Sequence, residues 1–253
     1  MNPLSAFSFG KIIKTFIPGL IASVGVLFIF DLIYQVAQPA GDDAGGSLWQ
    51  SLFERSFFSQ IVLQNSVAAT VFGAFMIPLS LMLGFFTNTL LWQFANSSFR
   101  AWVEKELDPQ LIAARRELKK KANAELKAFT GSDEDCEKAS IETYFLPMVD
   151  FEKFSYVRES YFSWFEFQAN SALALVFSYC LYALTVLVLL AGAGVSAGAL
   201  ALSLILPLVF IALFGTLLVF AAKNNLLRYQ ERVLLFLVCC VTREGRCAAD
   251  EAS

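Results

Sequence analysis

Two long stretches without a charged residue constrain this chain more than any other feature of its sequence. The first lies between Arg55 and Arg100 and contains 44 residues, and the second, from Phe167 to Ala222, contains 56. Each is much longer than the roughly 20 apolar residues that cross a bilayer as one helix. Apolar residues make up 57% of the chain and charged residues only 16%, whereas a soluble domain has about 25% charged residues. The sequence therefore predicts an integral membrane protein.

The first stretch could cross the membrane once or twice. As one helix it would extend about 65 Å, twice the roughly 30 Å of a hydrocarbon core. Its middle contains Pro78, which kinks a helix, but no Asn-Gly, Gly-Gly or charged cluster that would reverse it. Its second half, 88–98, is more polar. We therefore expect one span from about Ile61 to Thr87, continuing outside the bilayer toward Arg100.

The second stretch has a turn signal at its centre. The sequence AGAGVSAG at 191–198 is small and flexible, and it divides the stretch into spans of about 163–190 and 200–222. Near the N-terminus, the apolar stretch 13–36 predicts an uncleaved first span, because no clear cleavage site follows it. The predicted fold is all-α, a polytopic membrane protein with four transmembrane helices.

The distribution of Lys and Arg predicts how these spans are oriented. In chain order, the N-terminal segment together with the start of span 1 contains 2 basic residues, Lys11 and Lys14, and the four later segments outside the spans contain 1, 11, 0 and 5. Basic residues concentrate on the cytoplasmic side of membrane proteins. We therefore expect both termini to be cytoplasmic, with a helical cytoplasmic insertion between spans 2 and 3. The expected location is the plasma membrane, or the inner membrane of a cell with two.

This topology divides the chain into four segments. Residues 1–99 contain spans 1 and 2 with a short outer loop, and residues 100–160 form the cytoplasmic helical segment. Residues 161–222 contain spans 3 and 4, and residues 223–253 form an amphipathic cytoplasmic tail.

The cytoplasmic segment contains one helix with clear end signals. Asp108 and Pro109 form an N-cap and first-turn pair, and Gly131 is a typical residue just beyond a helix C-terminus. The helix between them has an apolar stripe: Leu111, Leu118, Ala122, Leu126 and Phe129. A second stripe lies at 226–238 in the tail.

An aromatic-rich stretch precedes span 3. Phe151, Phe154, Phe162 and Phe165 keep a helical spacing within it. Aromatic residues concentrate at membrane interfaces. The stretch therefore predicts an amphipathic helix that lies along the headgroups and turns into span 3.

Residue types exclude several kinds of chemistry. The chain has no His, which excludes Ser-His-Asp and Cys-His catalysis and imidazole metal sites within it. Its five cysteines are irregularly spaced and form no disulfide framework or zinc ribbon. No phosphate-binding glycine loop, HExxH or CxxC is present. We therefore predict a non-enzymatic protein without catalytic residues, cofactor or metal.

Several polar residues fall inside the spans or at their ends. These candidate intramembrane residues are Asp31, Gln64, Asn65, Glu166 and Asn170. Ionisable groups inside a membrane suggest ion or solute handling. Residues near helix ends also contact headgroups, or make interhelical hydrogen bonds worth about 0.6 to 2 kcal/mol each. Both interpretations remain open.

The densest positive run is RRELKKK. Its basic residues, candidates for binding lipid or a partner, are Arg115, Arg116, Lys119, Lys120 and Lys121. Anionic lipid attracts such a run by about 1 kcal/mol per charge, although a solvated helix face has the same composition. The acidic residues at 133–137 and the net charge of −3 argue against nucleic acid.

The two cytoplasmic stripes, 111–129 and 226–238, have more apolar surface than a small monomer is expected to cover. They predict a membrane anchor or scaffold subunit whose cytoplasmic helices bind a soluble partner protein or a second copy. Multi-component envelope, secretion and defence systems use such subunits. The alternative is a small homo-oligomeric channel or transporter with polar groups in the interior of its bundle.

Overall fold

The computed structural model describes residues 9–37, 64–130, 151–191 and 197–251, and all secondary structure in these ranges is helical. The α-helices are α1 (Phe9–Ala37), α2 (Ser66–Leu90), α3 (Asn96–Glu104), α4 (Pro109–Thr130), α5 (Phe151–Val157), α6 (Ser163–Ala191) and α7 (Ala197–Glu251). Two π-helical segments, Leu91–Ala95 and Arg158–Phe162, join α2 to α3 and α5 to α6. The prediction of an all-α fold is confirmed for these ranges. The predicted outer loop lies outside the described residues.

Within the described ranges, four helical stretches are long and apolar enough to cross a membrane. They are Lys14–Asp31, Ser66–Glu104, Glu152–Leu187 and Ala201–Cys239. This number agrees with the four predicted spans. The first uncharged stretch contains no reversal after residue 66, because Pro78 lies inside α2 without ending it.

The amphipathic helix predicted along the headgroups is not a separate element. It belongs to one helical run, 151–191, that includes the third apolar stretch. Phe154 and Phe165 are buried, and the Phe162 ring lies 4.9 Å from the ring of Tyr229. Other parts of the protein therefore cover Phe154 and Phe165.

The chain divides into two compact units. Unit 1 comprises residues 1–96 and 166–222, and unit 2 comprises residues 97–165 and 223–253. Each boundary lies within five residues of a segment boundary expected from the sequence.

Small residues bring α1 and α2 together in unit 1. Gly19 and Ser23 are four residues apart on α1, as are Ser80 and Gly84 on α2. A Cβ atom on Gly19 would overlap the Ser80 backbone oxygen and lie 2.7 Å from the Gly84 nitrogen. The Ser23 and Ser80 hydroxyl oxygens are 3.2 Å apart. The two backbones are therefore in direct contact and antiparallel, a packing that small residues allow between membrane helices.

Helix α6 packs against α1 and runs in the same direction. The Ser178 hydroxyl donates a hydrogen bond to the Ile21 carbonyl oxygen at 3.0 Å, and a Cβ atom on Gly25 would lie 2.5 Å from Ser178 Cβ. Earlier on both helices, Lys14 forms an ion pair with Glu166. Residues that follow one another on α1 thus contact residues in the same order on α6.

Two tyrosines of α6 contact α7 beside its internal proline. Pro207 has no backbone N–H, so the Ser203 carbonyl oxygen, four residues earlier, lacks its helical hydrogen bond. The Tyr182 hydroxyl donates to that oxygen at 3.2 Å, and the Tyr179 hydroxyl donates to the Leu204 carbonyl oxygen at 3.3 Å. A neighbouring helix thus supplies the donor that proline removes, as membrane helices with internal prolines require.

Replacing Tyr182 by Phe is expected to lower the free energy of unfolding by about 1 kcal/mol, because the Ser203 carbonyl loses its donor in apolar surroundings. Pro207→Ala restores an N–H to this carbonyl. The Tyr182→Phe effect should therefore be smaller in the Pro207→Ala background. Unfolding of the four variants in detergent measures this coupling as a double-mutant cycle. An equal loss of stability from Tyr182→Phe in both backgrounds would contradict the proposal that the tyrosine replaces the donor that Pro207 lacks.

Large apolar side chains of unit 1 are widely exposed. Ten of them, 44–67% exposed, lie on the part of α7 that belongs to unit 1: Leu202, Ile205, Leu206, Leu208, Val209, Phe210, Leu213, Phe214, Leu217 and Phe220. Monomeric soluble proteins rarely expose contiguous apolar patches of more than a few hundred Å². A lipid environment accounts for this surface, which is typical of a multi-pass membrane protein.

Unit 2 has an apolar core of its own. Side chains of α4 and α7 contribute to it: Leu118, Ala122, Leu226, Tyr229, Val233, Leu234 and Leu237, each at most 6% exposed. These residues belong to the two stripes expected to be uncovered. That expectation is wrong for these residues, because other parts of the same chain cover them.

The predicted start of α4 is confirmed. The helix begins at Pro109, and the Asp108 side chain accepts a hydrogen bond from the Gln110 backbone nitrogen at 2.7 Å. This contact satisfies one of the backbone donors that a helix N-terminus leaves free.

Candidate functional site

A group of charged and amide side chains lies at one end of unit 1. It consists of Lys14 near the start of α1, Asn88 near the end of α2, and Glu166 and Asn170 near the start of α6. We call these four residues the polar cluster. The antiparallel arrangement of α2 brings its end beside the starts of the other two helices.

An ion pair joins α1 to α6 in this cluster. The Lys14 ammonium contacts the Glu166 carboxylate, and their side chains are only 22% and 9% exposed. Removing either partner would leave a poorly hydrated charge, which is unfavourable. The pair therefore favours this alignment of α1 with α6 over alignments that would separate the two charges.

An amide pair joins α2 to α6. The Asn170 side-chain nitrogen donates to Asn88 Oδ1 at 3.0 Å, and Asn170 is 1% exposed. Asn170 Oδ1 and the neighbouring Ser171 Oγ are buried, with no hydrogen-bond partner among the described residues. The cluster thus holds acceptor capacity that a water molecule or a small polar solute can use.

The other predicted intramembrane residues lie elsewhere in unit 1. Asp31 is half-buried near the end of α1 and has an interaction partner. Gln64 is exposed, and the exposed Asn65 caps α2 by accepting hydrogen bonds from the Val67 and Ala68 nitrogens. Of the five predicted residues, the structure thus brings Glu166 and Asn170 into one cluster. Asn65 has a structural role as a helix cap.

The five predicted basic residues lie on α4 in unit 2. Arg115 pairs with Glu104 at 2.7 Å, and Lys120 pairs with Glu117 at 2.7 Å. The remaining three are exposed: Arg116, Lys119 and Lys121.

Unit 2 also contains a buried lysine. Lys223 is 7% exposed, forms an ion pair with Glu106, and lies 4.6 Å from the centre of the Trp102 ring. A carboxylate and an aromatic face together stabilise an ammonium group that has little contact with water. Sequence reasoning used this residue only to mark the end of a span.

An open groove lies between α5 and α7 of unit 2. Its volume is about 520 Å³, and its lining is largely apolar with a charged rim: Glu152, Lys153, Tyr156, Val157, Arg232, Leu235, Phe236 and Cys239. Tyr156 and Leu235 are 72% and 48% exposed. The groove thus retains exposed apolar surface beside the buried core residues of α7.

Sequence reasoning missed half of the polar cluster and the whole contact between α1 and α2. It treated Lys14 as an orientation signal and placed Asn88 beyond the bilayer. The four-residue spacing of Gly19 with Ser23, repeated on α2, was the available signal.

The described part of the chain is all-helical, and within it four helices are long and apolar enough to cross a membrane. Comparison with known proteins finds no matching family model, no similar curated protein and no similar solved structure.

Proposed function

We propose that this protein is a non-enzymatic membrane scaffold that self-associates through its cytoplasmic unit. In this proposal unit 1 is inserted in the plasma or inner membrane, and unit 2 and both termini are cytoplasmic. The exposed apolar side chains of unit 1 support insertion, and the 11 and 5 basic residues of segments 100–160 and 223–253 support the orientation. The separate core of unit 2 supports a domain outside the lipid.

Tags near residues 120 and 250 test this orientation. Both are expected to resist an impermeant reagent added to intact cells and to react after the membrane is permeabilised. Labelling of either tag from outside would contradict the proposed topology.

The groove of unit 2 is the single observation that best supports self-association. Its rim carries both charge signs, with Glu152 on α5 and Arg232 on α7. In a two-fold symmetric contact the same patch of both copies meets, so Glu152 of one copy can lie opposite Arg232 of the other. Exposed Tyr156 and Leu235 provide the apolar centre that stable interfaces need. We therefore propose a second copy of the chain as the occupant.

Leu235→Arg is expected to weaken this self-association at least about tenfold, because it places a charge in the apolar centre of the contact. Mass measurement of the protein purified in mild detergent, over a range of concentrations, reports the change. Ala113→Arg, which adds the same charge at an exposed position of α4, is the matched control and should have no effect. If the chain instead purifies as a single copy bound to a stoichiometric soluble protein, the result would contradict self-association and indicate a hetero-complex.

The polar cluster supports a second candidate function, a small homo-oligomeric channel or transporter. Asn170 Oδ1 is a buried acceptor next to the Lys14–Glu166 ion pair, and intramembrane groups of this kind mark ion pathways. Ion flux in liposomes that Asn170→Leu abolishes, in a variant that remains folded, would favour transport. The variant Asp31→Asn, at the opposite end of α1, tests whether that end of the helix also contributes to ion flux.

A further inference from the structure

The exposed side of α4 carries a concentrated positive charge. Leu118 and Ala122 are 6% and 4% exposed and anchor the opposite side of the helix in the core of unit 2. The helix is therefore held with one side outward. We call four neighbouring exposed basic residues of α4 the basic face: Arg116, Lys119, Lys120 and Lys121.

Acidic neighbours neutralise only part of this charge. Glu117, on the same helix, pairs with Lys120, and both side chains are more than 70% exposed. Glu104 of α3 pairs with Arg115, which lies outside the basic face. Among the α4 side chains that the structure describes, these four basic groups face one carboxylate, that of Glu117, and exposed pairs of this kind remain hydrated and easily exchanged.

The membrane is the nearest expected source of anionic groups. The chain passes between unit 1 and unit 2 at 96/97, 165/166 and 222/223, and all three passages lie within continuous helical runs. If unit 1 is inserted as proposed above, each of these helical runs leads from the membrane directly into unit 2. The cytoplasmic leaflet carries anionic lipids that attract basic segments close to its surface.

We infer that the basic face of α4 binds the anionic phospholipid headgroups of the membrane that holds unit 1. This inference rests on the membrane insertion in the proposed function and assigns a ligand to unit 2. Lysine and arginine side chains match phosphate groups in charge and in hydrogen-bond donors. The basic residues at 116, 119 and 120 have the three- and four-residue spacing that places them on one side of a helix.

Hydrogen exchange of the full chain in lipid nanodiscs tests this inference. The protein is placed in discs of phosphatidylcholine alone and in discs with one quarter phosphatidylglycerol. Exchange of the segment 109–127 is expected to slow by about tenfold or more in the anionic discs, because binding opposes opening of α4. Segment 226–238, in the core of unit 2, should be unchanged. About 0.5 M NaCl should remove the difference, since salt screens exposed charges.

Two variants with equal charge loss separate the basic face from general electrostatics. The test variant R116Q/K119Q/K121Q removes three exposed charges from α4 and should abolish the lipid-dependent protection. The control variant K105Q/R158Q/R228Q removes three exposed charges elsewhere in unit 2 and should retain it. Equal loss of protection in both variants would contradict a specific role for α4.

The remaining outcomes distinguish this inference from the proposed function. Insertion into discs without any lipid-dependent protection of α4 would overturn the lipid assignment and leave the membrane scaffold intact. Failure to insert would overturn the scaffold itself. Protection by a short RNA in neutral discs, with none from phosphatidylglycerol, would assign the face to nucleic acid and overturn the inference.

Discussion

Gly84→Ala is expected to lower the free energy of unfolding by about 2 to 3 kcal/mol. The added methyl group would overlap the Thr15 backbone oxygen and lie 2.8 Å from the Thr15 carbonyl carbon. A backbone cannot rotate away as a long side chain can, so α1 and α2 must separate and lose contact along their length. Thermal unfolding in detergent measures the effect.

Gly73→Ala is the matched control on the same helix. A Cβ atom at this position would meet nothing within 4 Å. Because alanine is a better helix former than glycine, stability should be unchanged or rise by up to about 1 kcal/mol. Similar losses at positions 73 and 84 would mean that the general properties of alanine, rather than the contact between the helices, explain the result.

Lys14→Met is expected to destabilise unit 1 by about 2 to 3 kcal/mol. The substitution leaves the Glu166 carboxylate, whose side chain is 9% exposed, without its counter-charge. Removing one partner of a fully buried pair costs about 3 to 5 kcal/mol, and the smaller value reflects the 22% exposure of the Lys14 side chain. Unfolding in detergent near neutral pH measures the loss.

Two further variants test whether the loss comes from the pair. The exchanged pair Lys14→Glu with Glu166→Lys should recover part of the lost stability. Lys120→Met removes a lysine from a pair whose side chains are 74% and 71% exposed, so its effect should stay below about 0.5 kcal/mol. An exchanged pair no more stable than Lys14→Met would rule out a specific attraction between the two residues.

Local sequence patterns predicted the helices well. Runs of apolar residues were sufficient to predict four long membrane-compatible helices, and the Asp108–Pro109 pair predicted the start of α4. These features depend on residues close together in the chain. Hydrophobic length and helix capping are local properties, so they can be predicted from one sequence without knowing what the helices contact.

Contacts between distant segments were predicted less well. The stripes of α4 and α7 were expected to need an external partner, because periodicity shows that a face is apolar but not what covers it. The partner of Glu166 is Lys14, 152 residues away, and no local pattern relates them. The aromatic stretch had the composition of a membrane interface, yet Phe165 is completely buried in protein.

The contact between α1 and α2 has a consequence for biosynthesis. It uses backbone atoms and small side chains from the first 84 residues only, so it can form as a hairpin before the third span has been synthesised. Membrane helices insert first and associate afterwards. We expect α6 to pack onto this hairpin later. Glu166 of α6 then pairs with Lys14, and Asn170 of α6 with Asn88. A ribosome-stalled chain that ends before residue 160 should then already contain the assembled pair.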